Sequence, residues 1–168
     1  MSKIFQGVCA ANPKTCTTKL DIMRLWIHEN QRVFGDRMIN DQDKEVLLSL
    51  LIDQAQNKFS LKKEDIFTNE RILFADFMFG NEMNDRPYDY IENLQTFQKR
   101  IADYLEDLNA GAKHPMKLVM FLDACEHVSR ICRILRQPLG NALLLGVGGS
   151  GRQSLTKLAT YISNFISY

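Results

Sequence analysis

Apolar residues in this chain recur every third or fourth position more often than every second, a spacing that predicts helices rather than strands. The first stripe is Met23, Trp26, Ile27, Val33 and Phe34. Thr18 and Asp21 stand before it, a hydroxyl and a carboxylate three apart that read as a helix start. Trp26 and Phe34 are expected to be largely buried. Asn40 with Asp43 marks a second start, and Val46, Leu47, Leu50 and Leu51 are expected to form its buried face. "NKFSLKKEDIF" reads as a break and a short helical turn. "RILFADFMFG" is too short and too aromatic to separate strand from buried helix. Asn81–Pro87, "NEMNDRP", has the turn chemistry of a linker.

Beyond the linker, Ile91, Leu94, Phe97, Ile101, Tyr104, Leu105 and Leu108 keep a helical period that closes at "NAGAKHP". Pro115 suits the first turn of the next helix. Leu118, Phe121, Leu122, Cys125, Val128, Ile131, Cys132 and Leu135 continue that helix to Pro138. "NALLL", Asn141–Leu145, then reads as a strand, followed by a glycine-rich loop and a last helix from about Gly151. The expected fold is mainly α, with one strand.

The chain has 168 residues, room for one compact domain or two small subdomains. Its net charge of +1 provides no general attraction to nucleic acid or anionic membrane. That charge is unevenly placed. No Asp or Glu follows Glu126, whereas Arg130, Arg133, Arg136, Arg152 and Lys157 do, so the last 42 residues carry +5 and the rest −4. The glycine loop lies in this basic end, which suits an anionic ligand. No apolar run approaches the roughly 18 residues of a membrane span, and the N-terminus lacks the apolar core of a signal peptide. The four cysteines form no C-x-x-C pair. Cys125 and Cys132, seven apart on one helix face, read as small buried apolar groups in a reducing compartment.

"GVGGSGRQS" fits the G-x-x-x-x-G spacing of a phosphate-binding loop from Gly146 to Gly151. Glycines allow backbone N–H groups to turn toward an anion, and the following helix adds its positive end. In such loops a Lys reaches the outer phosphates and a Ser or Thr holds Mg2+. Here Arg152 keeps the charge as a planar fork, and Gln153 replaces the hydroxyl. Ser154 falls one residue late, about 100° around the helix, so its hydroxyl should point elsewhere. Phosphate cradling survives these changes, with Arg152 expected to add a charged hydrogen bond of roughly 1.5–3 kcal/mol. Gly146, Val147, Gly148, Gly149, Ser150, Gly151, Arg152, Gln153 and Ser154 are the candidate nucleotide-binding residues. No catalytic or metal-ligating residue is assigned. Hydrolysis also needs an acid on a second strand, and none follows the loop, so this chain alone is expected not to hydrolyse ATP.

Gly146, Gly148 and Gly151 also spell G-x-G-x-x-G, but the carboxylate that fingerprint needs for ribose is missing downstream. "NDQDKE" resembles a calcium loop without its glycine or twelfth-position Glu and reads as a solvated helix start. His28, His114 and His127 lack metal-site spacing. Asp123 and Glu126, three apart, read as a solvated face.

Two stretches carry a resemblance. "IMRLWIHENQRVFGDRMIND" (Ile22–Asp41) and "MKLVMFLDACEHVSRICRILRQPLGNALLLGVGGSGRQSLTKLATYIS" (Met116–Ser163) closely resemble dynein heavy chains, and "GVGGSGRQS" looks like the ciliary (axonemal) type. With "SKIFQG" near the start, the likeness covers nearly the whole chain. The family folds its motor into a ring of six AAA+ modules. The resemblance implies a helical lid of the third module over residues 1–80 and a linker with an amphipathic helix over 81–115. Residues 116–168 would then open the fourth, α/β P-loop module with helix, strand, P-loop and helix, so that the two modules together are incomplete at both ends. The family's fourth module binds nucleotide and is regarded as regulatory. The resemblance thus implies ATP or ADP, and the reading of Arg152 and Gln153 above expects it to be weakly held, with a poor ligand set for Mg2+. It implies the rest of the heavy-chain ring as partner, with microtubules and light and intermediate chains engaged only through the parent, and neither nucleic acid nor membrane. The implied location is the cytoplasm, cytoskeleton and ciliary axoneme. A free-standing degenerate P-loop protein and a ligand-free interaction module remain as alternatives.

Overall fold

Side-chain caps set two of the helix starts where the sequence places them. In the computed structural model, which describes residues 2–79 and 86–166, Asp21 N–H donates to the Thr18 hydroxyl at 3.2 Å. Thr18 N–H donates back to the Asp21 carboxylate at 2.9 Å. This reciprocal box opens α2 (Lys19–Val33). Asn40 accepts from Asp43 N–H at 2.7 Å and opens α3 (Asp41–Phe59). An α1 (Ser2–Cys9) that the sequence pattern did not announce precedes them. A 3-10 turn (Gly35–Arg37) joins α2 to α3, and the short α4 (Lys63–Ile66) takes the expected helical turn. "RILFADFMFG" resolves into β1 (Phe74–Ala75), which pairs with β2 (Asp89–Tyr90). The helices α5 (Leu94–Ala110), α6 (Leu122–Arg136) and α7 (Arg152–Ile162) complete a mainly helical chain. Most of the expected linker, residues 81–85, lies outside the described residues.

The chain divides into two compact units, Met1–Phe74 with Pro87–Glu92, and Ala75–Arg86 with Asn93–Tyr168. In the first, Leu25, Ile27, Ala55 and Ile66 are fully buried. So is Glu29, whose carboxylate accepts from the Tyr88 hydroxyl at 2.9 Å. Buried polar groups cost free energy unless bonded, and the others here are bonded too. His28 Nδ1–H donates to the Ile72 carbonyl at 2.9 Å, which fixes its tautomer because a carbonyl only accepts. Arg24 donates to the carbonyls of Asp65 and Ile66, both at 2.8 Å, placing a cation at the end of α4.

Three burial expectations for this unit need correction. Phe34 is 42% exposed, because α2 ends at Val33 and Phe34 lies beyond its stripe. Trp26 is only half-buried. Val46 and Leu50 are exposed, and the covered residues of α3 are Leu47, Leu48, Leu51 and Ala55. The helix is turned one position from the expected face, since 47, 51 and 55 are also four apart.

In the second unit the α5 stripe is as expected, with Phe97, Ile101, Tyr104 and Leu105 buried. Phe77 stacks on Phe97 at 6.1 Å and meets Tyr104 edge-on at 6.2 Å. Cys125, Val128, Ile131 and Cys132 of α6 and Leu158, Ala159 and Ile162 of α7 are also buried. However, α6 starts at Leu122, not near Pro115. The Asn109 side chain bonds both the N–H and the carbonyl of Met116, at 2.8 and 2.9 Å. The segment from there to Phe121 is therefore not helical, and Val119 and Phe121 are exposed.

The expected strand Asn141–Leu145 is not formed. Leu143 and Leu145 are 84% and 81% exposed. A strand exists only by pairing, and among the described residues none pairs with this stretch.

Candidate functional site

The glycine loop enters α7 through two left-handed glycines, Gly149 at φ +79° and Gly151 at φ +77°. Residues with a Cβ adopt that region at a cost of roughly 1–2 kcal/mol. Gly151 is also the N-terminal cap of α7, and the first bond of the helix runs from Leu155 N–H to the Gly151 carbonyl at 2.9 Å. The N–H groups before Leu155 thus face the loop side without helical acceptors, which makes the helix start an anion site in principle. At Gly148, with negative φ, an added Cβ would meet nothing within 4 Å. The loop is open on that side.

An open cavity of about 890 Å³ lies against this loop. Of the candidate residues, Gly148 through Ser154 border it without a gap, whereas Gly146 and Val147 do not. Ser154 borders it in spite of its late position in the motif. Leu144, Thr156 and Lys157 border it as well. Their signal in the sequence was helical spacing, since 156 and 157 lie three and four residues after Gln153. The Thr156 hydroxyl donates to the Arg152 carbonyl at 2.7 Å. None of the bordering residues is acidic.

Arg152 folds back onto its own loop. Its Nε–H donates to the Ser150 hydroxyl at 3.1 Å, and its two terminal nitrogens donate to the carbonyls of Leu144 and Val147, both at 3.2 Å. Other cations of the basic end are also engaged. Arg130 pairs with Glu126 at 2.6 Å, and Arg136 with Asp76 at 3.2 Å. Glu126 is therefore buried and ion-paired rather than part of a solvated face, as helix position alone had suggested.

A smaller hollow of about 270 Å³ shares Ser150 and Gly151 with the loop and is otherwise lined by Leu118–Phe121, the start of α6 and Leu155. Its walls are mostly apolar.

Among the described residues no activated nucleophile emerges elsewhere. Burial pushes the Cys132 thiol up to about 12 and the Cys125 thiol up to about 11, so both stay protonated and unreactive near neutrality. His28 is bonded in the core of the first unit, and His114 and His127 are exposed. Among the described residues no three His, Cys, Asp or Glu side chains cluster as a metal site. Among them, too, no helix is long and apolar enough to cross a membrane.

Comparison with known proteins follows the same division. Residues 1–69 match the family model of the AAA+ lid domain, and residues 116–168 that of the P-loop containing dynein motor region D4. The chain is 44% identical over 98% of its length to human "Dynein axonemal heavy chain 6". It is 42% identical to mouse "Dynein axonemal heavy chain 1" and 42% identical to "Dynein beta chain, ciliary" of Tripneustes gratilla, each over 98% of the chain. It spans about 4% of the length of each of these curated relatives.

Proposed function

Because this chain belongs to the axonemal dynein heavy chains, with an AAA+ lid followed by the start of the P-loop motor region, we propose that its glycine loop is a degenerate, regulatory nucleotide site. It binds ATP or ADP weakly and does not hydrolyse it. The observation that carries this reading is the unbroken border Gly148–Ser154 around an open cavity at the N-terminus of α7. Gly146 through Ser154 form the phosphate-binding segment. The backbone N–H groups and the helix end supply the attraction for phosphate, and Lys157 adds a second cation at the rim. The apolar hollow beside Ser150 and Gly151 suits a nucleobase.

The residues that border the cavity give no support to metal-assisted hydrolysis. An amide, Gln153, stands where a hydroxyl would hold Mg2+, the Thr156 hydroxyl is bonded to its own helix, and no carboxylate borders the cavity. The residues present do not fit Mg2+. No step through a metal is derived.

At the scale of the parent we propose that residues 1–80 are the lid of the third ring module and 81–115 a linker with an amphipathic helix. Residues 116–168 then open the fourth module. The segment would contribute ring structure to a microtubule motor of the ciliary axoneme and cytoskeleton. Its partners would be the remaining modules of that ring, with microtubules and the light and intermediate chains reached only through the parent.

The test is calorimetric titration of ADP and ATP with and without Mg2+, alongside phosphate-release assays. Weak binding that ignores Mg2+, with no turnover, is expected. Steady hydrolysis abolished by Arg152→Ala would reveal a working enzyme, and absence of any binding would reduce the loop to a ligand-free turn.

A further inference from the structure

We propose that Arg152 is a positioning residue. Its guanidinium holds the glycine loop in shape before any nucleotide arrives, and so is withheld from the terminal phosphate. The fork geometry carries this. One planar group meets three acceptors spread over seven residues of chain, the Leu144 and Val147 carbonyls and the Ser150 hydroxyl, at 3.1–3.2 Å. A lysine ammonium is a point charge and cannot span them. Gly146 provides the second observation. A Cβ there would lie 3.3 Å from Arg152 Cδ and 3.4 Å from Nε, so the first glycine of the motif makes room for the arginine stem to lie across the loop. Gly149 and Gly151, by contrast, would meet nothing within 4 Å and are set by backbone conformation.

The consequence is one of specificity. In loops with a lysine, the cation distinguishes a nucleotide by its outer phosphates. Here that charge is spent on loop carbonyls. The backbone N–H groups that remain, with Lys157 at the rim, recognise phosphate as such, and the site does not distinguish ATP from ADP. This last step rests on the nucleotide reading above; the holding of the loop does not.

The experiment compares the 168-residue chain with Arg152→Ala, Arg152→Lys and Ser150→Ala. Without nucleotide, cleavage between Leu144 and Val147 by a nonspecific protease is followed by mass spectrometry. Circular dichroism confirms that the helices remain. Arg152→Ala and Arg152→Lys should both be cut about tenfold faster, the scale of losing charged hydrogen bonds, and Ser150→Ala by a smaller factor. Guanidinium ion, but not methylammonium, should slow cleavage of Arg152→Ala. ATP and ADP are then titrated separately. Their affinity ratio should be near one in the parent chain and in Arg152→Ala, although both nucleotides bind the variant more weakly. It should rise severalfold in favour of ATP in Arg152→Lys, whose freed ammonium can reach the third phosphate. Unchanged cleavage in Arg152→Ala, with ATP binding lost more than ADP binding, would overturn the proposal and make Arg152 a phosphate ligand. If no nucleotide binds at all, the functional reading fails, and the cleavage rates still decide the role of Arg152.

Discussion

Gly7 on α1 lies where a methyl group has no room. A Cβ there would fall 1.8 Å from Glu29 Oε2 and 2.1 Å from its Cδ. Glu29 is fully buried and accepts the Tyr88 hydroxyl at 2.9 Å, so its carboxylate cannot swing into solvent to yield. Gly7→Ala must therefore displace it. Overpacking costs about 1–3 kcal/mol, and weakening a charged hydrogen bond adds roughly 1.5–3 kcal/mol. Removing glycine from a helix returns about 1 kcal/mol. The net destabilisation is about 3 kcal/mol. Trp26 is the single tryptophan and lies on α2 in the same unit, so urea unfolding followed by its fluorescence reports on this unit. With a slope of about 2 kcal/mol per molar, the midpoint should fall by about 1.5 M. The same substitution made in Glu29→Ala should be nearly neutral, since the obstructing side chain has gone. A Gly7→Ala midpoint equal to or above that of the parent would refute the reasoning.

Five further outcomes are expected. Thr18→Ala should cost about 1 kcal/mol as a lost N-cap, read by the same fluorescence transition. Although burial opposes it, hydrogen bonds from the Thr18 hydroxyl and from the Thr18 and Thr17 N–H groups, with Arg24 nearby, hold Asp21 below its ordinary value. Asp21 therefore contributes stability above its unfolded pKa and loses it as pH falls through the lower folded one, so an acid titration of Thr18→Ala should show a shallower loss than the parent. Thiol reagents at pH 8 should label exposed Cys9 in the native chain and reach Cys125 and Cys132 only after unfolding, because burial holds both thiols high; rapid native labelling of Cys132 would contradict this. Gly149→Ala and Gly151→Ala should each weaken nucleotide binding by about 1–2 kcal/mol through strain at positive φ, measured by calorimetry. The exposed Leu143, Leu145 and Val147 should make the isolated chain poorly soluble, so a monodisperse monomer at high concentration would count against that expectation.

What could be read from the sequence was what depends on neighbours in sequence. The starts of α2 and α3 were legible because Thr18 with Asp21 and Asn40 with Asp43 make their bonds within one turn. The buried face of α5 was legible because its apolar residues leave only one choice. In α3 the run Val46, Leu47, Leu48, Leu50, Leu51 offers two neighbouring faces, and only packing against α2 selects between them. The late start of α6 depends on Asn109, seven residues before the backbone it bonds. The missing strand shows the same limit, since pairing is a property of a partner rather than of "NALLL". At the loop, glycine spacing announced the turn into α7, but nothing local tells a guanidinium pointing outward from one folded onto carbonyls.

The chain leaves its first unit after Phe74, spends Ala75–Arg86 in the second, returns for Pro87–Glu92 and departs again. Six returning residues bring in Tyr88, the partner of Glu29, together with β2 and buried Ile91. The chain thus passes between the two units three times rather than once. No single cut in the gene yields both as intact pieces: a fragment ending near residue 80 forfeits the stitch, and one extended to residue 92 carries off part of its neighbour. Shuffling such units between heavy chains calls for exchange at all three junctions, after Phe74, Arg86 and Glu92, and a lone recombination event within the segment would leave its products with units of mixed origin.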